Sequence, residues 1–316
     1  MGSYFIRRFV AVLPVLAIAS LFVFSITLLI PGEVATAILG PQATPKEISQ
    51  LTKDLGLDRP IYVQYRIWLQ RVVRGNLGRS YILGYAVSEL LINALTNTII
   101  LAGTALLIAV SIGIIVGTIS AVRRNSLVDR LSVIVVLMSN SMPPFWLGLL
   151  LIWFFVAYLK LLPSGGMYSA REGLSFTGVL RHLALPAATL AAPNLAYVTR
   201  MTRSCVLEVL HMDYVRTARA KGLPEKVVIL KHAVRNALIP LTTMIGLRFG
   251  YLLAGSVVTE TVFSWPGVGL LMYKAITERD IPVIQGGVLL IALNFALVNL
   301  LVDISYAFLN PQITLD

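Results

Sequence analysis

Long apolar runs, separated by short charged stretches, set the rhythm of the chain. Phe9 to Ile30 holds no charged residue and exceeds the roughly 20 residues that cross a bilayer. Thr98 to Val122 is a second such run, stopped by Arg123 and Arg124, and Leu131 to Tyr158 is a third. The fourth, around Leu183 to Val198, is weaker and holds Pro186 and Pro193. The fifth covers about Ala237 to Val258 and the sixth Val283 to Val302, followed by Asp303. The pattern predicts an all-α polytopic membrane protein of about six transmembrane helices, with both termini on one side. Ala17-Ile18-Ala19 imitates a signal-peptide cleavage site. The first run continues past it to Ile30, so a retained anchor is expected.

Between the first two runs the pattern becomes amphipathic. In "TPKEISQLTKDLGLDRPIYVQYRIWLQRVV", Ile48, Leu51 and Leu55, then Ile61, Tyr65, Trp68 and Leu69, recur at helical spacing. Thr44 with Glu47 fits a capping box, with Pro45 at the first helical position. Gly56 fits a helix stop and Pro60 opens the next helix. Two or three short helices on the outer membrane surface are expected. The organisation is one membrane domain over residues 1–316: an anchor span at 1–30, an extracytoplasmic segment at 31–93, and a core of spans two to six at 94–309. A basic loop lies within that core at about 205–235.

Composition supports the membrane reading. Of 316 residues, 57% are hydrophobic and 13% charged, with a mean hydropathy of +0.82. A soluble domain carries about 25% charged residues. The net charge of +11 raises nucleic acid as a partner. No zinc-finger spacing or basic recognition helix supports one, and none is expected. The cations instead set the orientation. Arg7 and Arg8 flank the first span, and Arg123, Arg124 and Arg130 sit against Asp129 in the next same-side loop. Between spans four and five, eight basic residues from Arg200 to Arg235 face Glu208, Asp213 and Glu225, a surplus of five. These segments share one side in the six-span arrangement, which makes that side cytoplasmic and its anionic membrane lipids neighbours.

Several chemistries lack a motif. There is no G-x-x-x-x-G-K-[ST] phosphate loop, no H-E-x-x-H and no G-x-S-x-G. His182, His211 and His232 are scattered, and the single Cys205 excludes an internal disulfide. No catalytic residue, metal or cofactor site is expected in this chain.

Helix-breaking and buried polar residues are the candidates for a transport pathway. Ser139, Asn140, Ser141, Met142, Pro143 and Pro144 interrupt the third span, and Pro193 with Asn194 raises the same choice in the fourth. Such breaks are tolerated where they are buried in protein or line a cavity. A kink satisfied by neighbouring helices and a pathway wall both remain open. Arg248 lies within span five, where an unpaired charge costs roughly 2.5–3.5 kcal/mol, so it should face protein or water. Glu260 is about 18 Å further along a straight helix, so each should pair elsewhere, a second subunit included. Gly113 with Gly117, and Gly246 with Gly250, have the spacing that lets helices approach closely.

The basic loop has its own punctuation. Asp213 suits the N-cap of a helix beginning at Tyr214, Gly222 suits the left-handed residue past its end, and Pro224 starts a further helix with Glu225 near its positive end. At 100° per residue, Tyr214, Thr217, Ala218 and Lys221 share a face and Gly222 lies beside it, while Arg216 and Arg219 point mostly away. The expectation is a smooth face that another protein can approach. A loop resting on anionic headgroups is the alternative.

"DYVRTARAKGLPEKVVILKHAVRNALIP" resembles the cytoplasmic EAA loop of ABC importer permeases, in the form used by the dipeptide/oligopeptide/nickel family. Anchored on Gly222, the Glu-Ala-Ala positions are Arg216, Thr217 and Ala218. Only Ala218 and Gly222 keep the general pattern, and the peptide-branch form "RTARAKG" with "HxxRNAxxP" fits instead. "LGLDRPIYVQYRIWLQRVVRGNLGRSY", "VFSWPGVGLLMYKAITERDIPVIQG" and "LNPQI" are similar to other segments of the first, B-type permease of that family.

The resemblance implies a coupling helix from Asp213 to Lys221, closed by Gly222, with Asp213, Tyr214, Val215, Thr217, Ala218, Lys221 and Gly222 as its coupling residues. It implies a second homologous permease, two cytoplasmic ABC ATPases that bind the ATP and Mg, and an extracytoplasmic solute-binding protein. The implied cargo is di- or oligopeptides, with nickel chelates, glutathione and oligosaccharide or opine-like solutes as alternatives. The pathway candidates are Ser139, Asn140, Ser141, Met142, Pro143, Asn194 and Arg248. A membrane scaffold subunit without its own pathway is the competing class.

Overall fold

The computed structural model describes residues 2–29, 43–55, 58–169, 173 and 175–309. Gly56 and the segment from Asn310 lie outside the described residues. The described chain is helical, with only an isolated bridge between Arg79 and Ala86. Its helices are α1 (Gly2–Leu29), α2 (Pro45–Leu55), α3 (Ile61–Val73), α4 (Val87–Val122), α5 (Leu127–Ser141) and α6 (Pro144–Leu151). There follow α7 (Phe176–Leu210), α8 (Asp213–Ala220), α9 (Glu225–Val227), α10 (Arg235–Gly255), α11 (Val257–Val262), α12 (Val268–Glu278) and α13 (Ile281–Leu309). Two π-helical stretches, Ile152–Tyr158 and Val228–Val234, continue α6 and join α9 to α10.

Among the described residues, two helices are long and apolar enough to cross a membrane, Val87–Val122 and Ile281–Val302. A pair bent by 103°, Leu127–Ser139 with Pro144–Tyr158, makes a third if it is one span. The other three expected spans correspond to α1, α7 and α10. The apolar part of α1 is the shorter Val10–Ser25, while α7 and α10 carry arginines, including Arg200, Arg203 and Arg248. Leu107, Ile115, Leu131 and Leu137 are exposed, as lipid-facing residues are.

The chain divides into two compact units, one of residues 1–96, 270–297 and 315–316, the other of 97–269 and 298–314. In the first, Thr44 and Glu47 form the expected capping box. The Thr44 amide and hydroxyl donate to the Glu47 carboxylate at 2.9 and 2.7 Å, and this holds the Glu47 carboxyl below its ordinary range. Phe24 of α1 meets Tyr65 edge-on at 5.4 Å, and Tyr65 shares a hydrogen bond of 2.8 Å with Ser20. Trp68 donates through Nε1 to Gln285 at 3.0 Å, and Ser80 donates to Asp280. The amphipathic helix α3 is thus pinned by its aromatic face.

In the second unit, Leu101, Ala105 and Ala109 of α4 pack with Leu183, Ala187 and Leu190 of α7 and with Leu252 and Trp265. The glycine spacings produce the expected close approach. A Cβ on Gly117 would lie 2.6 Å from the Thr199 carbonyl oxygen, and one on Gly246 would lie 2.6 Å from Val302. The prolines of α7 do not break it: Pro186 and Pro193 lie inside a continuous helix.

The candidate coupling surface and pathway residues

The α8 region is built by local rules. α7 ends at Leu210 and the chain turns through His211 and Met212. Met212 occupies the N-cap position and makes no side-chain cap, which corrects the expectation for Asp213. Asp213 is the first helical residue, where its charge meets the positive end of the helix dipole. At the other end the Gly222 amide donates to Arg219 at 2.9 Å and the Leu223 amide to Ala218 at 3.4 Å. That pair of bonds is a Schellman closure, with Gly222 at φ +75° in the left-handed position predicted for it.

The helix presents the expected face except at Ala218. Val215 and Ala218 are buried against Val209, Leu210 and Val228. Ala218 therefore anchors α8 to its own chain and does not belong to the outward surface. Tyr214, Thr217 and Lys221 are exposed, as are Asp213, Arg216 and Arg219. Two links between α8 and the following helical segment were not predicted. Asn236 donates through Nδ2 to the Tyr214 hydroxyl at 2.9 Å. Arg219 grips Glu225 at 2.8 and 3.3 Å and holds its carboxyl below the ordinary range. That contribution is present at neutral pH and fades as pH falls through the lowered value. The π-helical Val228–Val234 then carries the chain into α10, so the segment bonded to α8 continues as helix into the fifth expected span.

Behind α8, an ion pair fixes the end of α7. Arg203 donates through Nε and Nη2 to Asp129 at 2.7 and 2.9 Å, and the Asn125 amide donates to the same carboxylate at 2.9 Å. Ser120 donates to it as well. One carboxylate thus ties the α4–α5 turn to α7, ten residues before Asp213.

The pathway candidates divide by environment. The break in the third expected span falls at Met142 and Pro143, which are extended between α5 and α6. Ser139 and Met142 are half-buried and Pro143 is exposed, while Ser141 is exposed and donates to the Leu137 carbonyl at 2.9 Å. The Asn140 side chain lies outside the described residues. Asn194 is buried, and its Nδ2 donates to the Leu190 carbonyl of its own helix at 2.9 Å. Arg248 is half-buried with its guanidinium 3.7 Å from the centre of the Tyr197 ring, a cation–π pair. The described residues show no hydrogen bond between the Ser139–Pro143 break and either Asn194 or Arg248. Glu260 finds partners within the chain: Thr98 and Ser256 donate to it at 2.8 and 2.6 Å.

α8 is thus a basic, glycine-closed helix packed on the end of α7 at Val209 and Leu210. The family described as "Binding-protein-dependent transport system inner membrane component" matches residues 109–315, and its N-terminal companion matches residues 1–102. The chain belongs to this family and is the permease subunit of an ABC importer. It is 42% identical to the dipeptide transport system permease DppB of Alkalihalophilus pseudofirmus, over 99% of both chains. It is also 42% identical to the glutathione transport system permease GsiC of Escherichia coli K12, and 39% to the probable peptide permease y4tP of Sinorhizobium fredii, again over 99% of both chains. The inward-facing MetNI methionine ABC transporter has a similar fold, with a TM-score of 0.54 at 17% identity over 70% of this chain and 96% of that one.

Proposed function

We propose that the chain forms half of a translocation pathway for di- or oligopeptides, the other half coming from a second homologous permease. Two cytoplasmic ABC ATPases bind the ATP and Mg and dock on α8, and an extracytoplasmic solute-binding protein delivers cargo. The observation that carries this reading is the construction of α8. It is closed by Gly222, anchored inward by Val215 and Ala218, and turns Tyr214, Thr217 and Lys221 outward. ATP binding draws the two coupling helices together, and the connection through Val228–Val234 passes that motion to α10. Hydrolysis resets the pathway, and this chain performs no covalent catalysis. The peptide cargo is supported by the dipeptide and peptide permeases among the relatives, and glutathione is itself a modified tripeptide. In proteoliposomes holding the assembled complex and its binding protein, ATP should drive uptake of a labelled dipeptide. Uptake of a nickel chelate or oligosaccharide without peptide would overturn the cargo. No uptake of any solute by a stable complex would favour the scaffold reading.

The six-span topology, in the inner membrane of a prokaryote with both termini cytoplasmic, belongs to the same proposal. Lys53 is exposed on α2, in the proposed outer segment. A Lys53→Cys variant in a Cys205→Ala background should react with an impermeant thiol reagent in intact cells. Labelling only after lysis would reverse the orientation.

A further inference from the structure

Beyond Tyr158, at the π-helical end of α6, the chain turns through Lys160, whose φ of +55° is a left-handed value uncommon for lysine. The turn is held in place. The amides of Leu159 and Leu161 donate to the carbonyls of Phe154 and Phe155, each at 2.9 Å, and the Gly166 amide donates to Phe263 at 2.8 Å. His182 of α7 lies 2.9 Å through Nδ1 from the Gly165 carbonyl. A carbonyl only accepts, so Nδ1 carries the proton.

Between this turn and the start of α7 lies a cavity of about 230 Å³, lined by Lys160, Ser169, Gly178, Arg181 and His182 among others. The side chains of Lys160 and Arg181 have no hydrogen-bond or ion-pair partner among the described residues. The positive end of the long helix α7 adds to their field. Among the described lining residues the charged groups are thus both cations, Lys160 and Arg181, each exposed, and a water's share of ~30 Å³ is a small part of the cavity.

Leu161, 66% exposed, lines the same cavity, and two further exposed aromatics are close in sequence: Tyr158, 70% exposed, is two residues before Lys160, and Phe176, 84% exposed, is two before Gly178. Trp153 stacks on Tyr158 with ring centres 6.3 Å apart. Aromatic rings near cations at the end of an apolar helix mark the level of lipid headgroups. We propose that this cavity binds the phosphate of an anionic phospholipid. Lys160 and Arg181 are its cationic contacts, and the Tyr158, Leu161 and Phe176 side chains lie against the acyl chains. A free phosphate or an acidic protein side chain would need the same cations but not those apolar side chains. The proposal uses only the membrane embedding of the chain and is independent of its cargo.

The test offers the full-length chain, extracted with its bound subunits in mild detergent, mixed vesicles of phosphatidylglycerol and phosphatidylcholine. Retained lipid is read by native mass spectrometry. The native chain should prefer phosphatidylglycerol, and Lys160→Gln with Arg181→Gln should lower that preference about fivefold per cation removed. Lys160→Arg with Arg181→Lys keeps both charges and should keep the preference. Unchanged preference in the neutral variant, or equal loss in the charge-keeping one, overturns the site. Displacement by an equal concentration of inorganic phosphate overturns the lipid assignment. So does a neutral variant that keeps its lipid but loses affinity for the extracytoplasmic binding protein.

Discussion

Asp129→Ala should destabilise the protein by about 3 kcal/mol, the low end of what breaking a buried ion pair costs. The reason is the guanidinium left behind. The Arg203 side chain is only 27% exposed and spends two N–H groups on Asp129. Truncation also removes the acceptor for Ser120 and the Asn125 amide. The low end applies because water reaches part of Arg203 and recovers some of its solvation. The pair itself is a weaker stabiliser than that number, since desolvation offsets much of its attraction. Asp129→Leu combined with Arg203→Met should therefore recover most of the loss. Thermal unfolding of the detergent-solubilised protein checks both variants. A single variant as stable as the native chain would mean that water satisfies the Arg203 guanidinium once the carboxylate is gone.

That ion pair also shows where sequence reasoning stops. Thr44 with Glu47, and Gly222 with Pro224, are legible because a cap or closure is written within four residues. The break at Met142 and Pro143 is legible for the same reason. Asp129 and Arg203 are 74 residues apart, and only the packing of α5 beside α7 makes them partners. The burial of Ala218 on α8 is missed for another reason. Helical spacing groups Tyr214, Thr217, Ala218 and Lys221, but cannot say which edge of the group meets the chain's own core. Val215 was the clue, an apolar residue three before Ala218 that makes the inward stripe with it. Asn194 is polar within a span, and the bond from its Nδ2 to the Leu190 carbonyl four residues back is a local one that the sequence spacing alone does not announce. The π-helical stretch at Val228–Val234 has no comparable sequence signal, since its residues suit an ordinary helix.

Gly222→Trp should leave the protein folded and inserted while abolishing ATP-driven uptake. Space is not the obstacle within the chain: no atom lies within 4 Å of a Cβ built at Gly222. The backbone is, because φ of +75° costs an L-residue roughly 1–2 kcal/mol. Gly222→Ala carries that cost alone and should weaken the closure of α8 without blocking its surface. Tryptophan adds a large ring beside Lys221, on the surface proposed to receive the ATPase. A blocked contact at the centre of an interface costs 2 kcal/mol or more, about thirtyfold in affinity. Uptake should then fall on the order of thirtyfold for Gly222→Trp and only a few-fold for Gly222→Ala. Co-purification of the ATPase separates lost docking from lost transmission: docking failure removes the subunit, and transmission failure leaves it bound and hydrolysing without transport. Normal uptake by a stably assembled Gly222→Trp complex would remove α8 from the coupling route and leave it a cytoplasmic loop held by its basic charge.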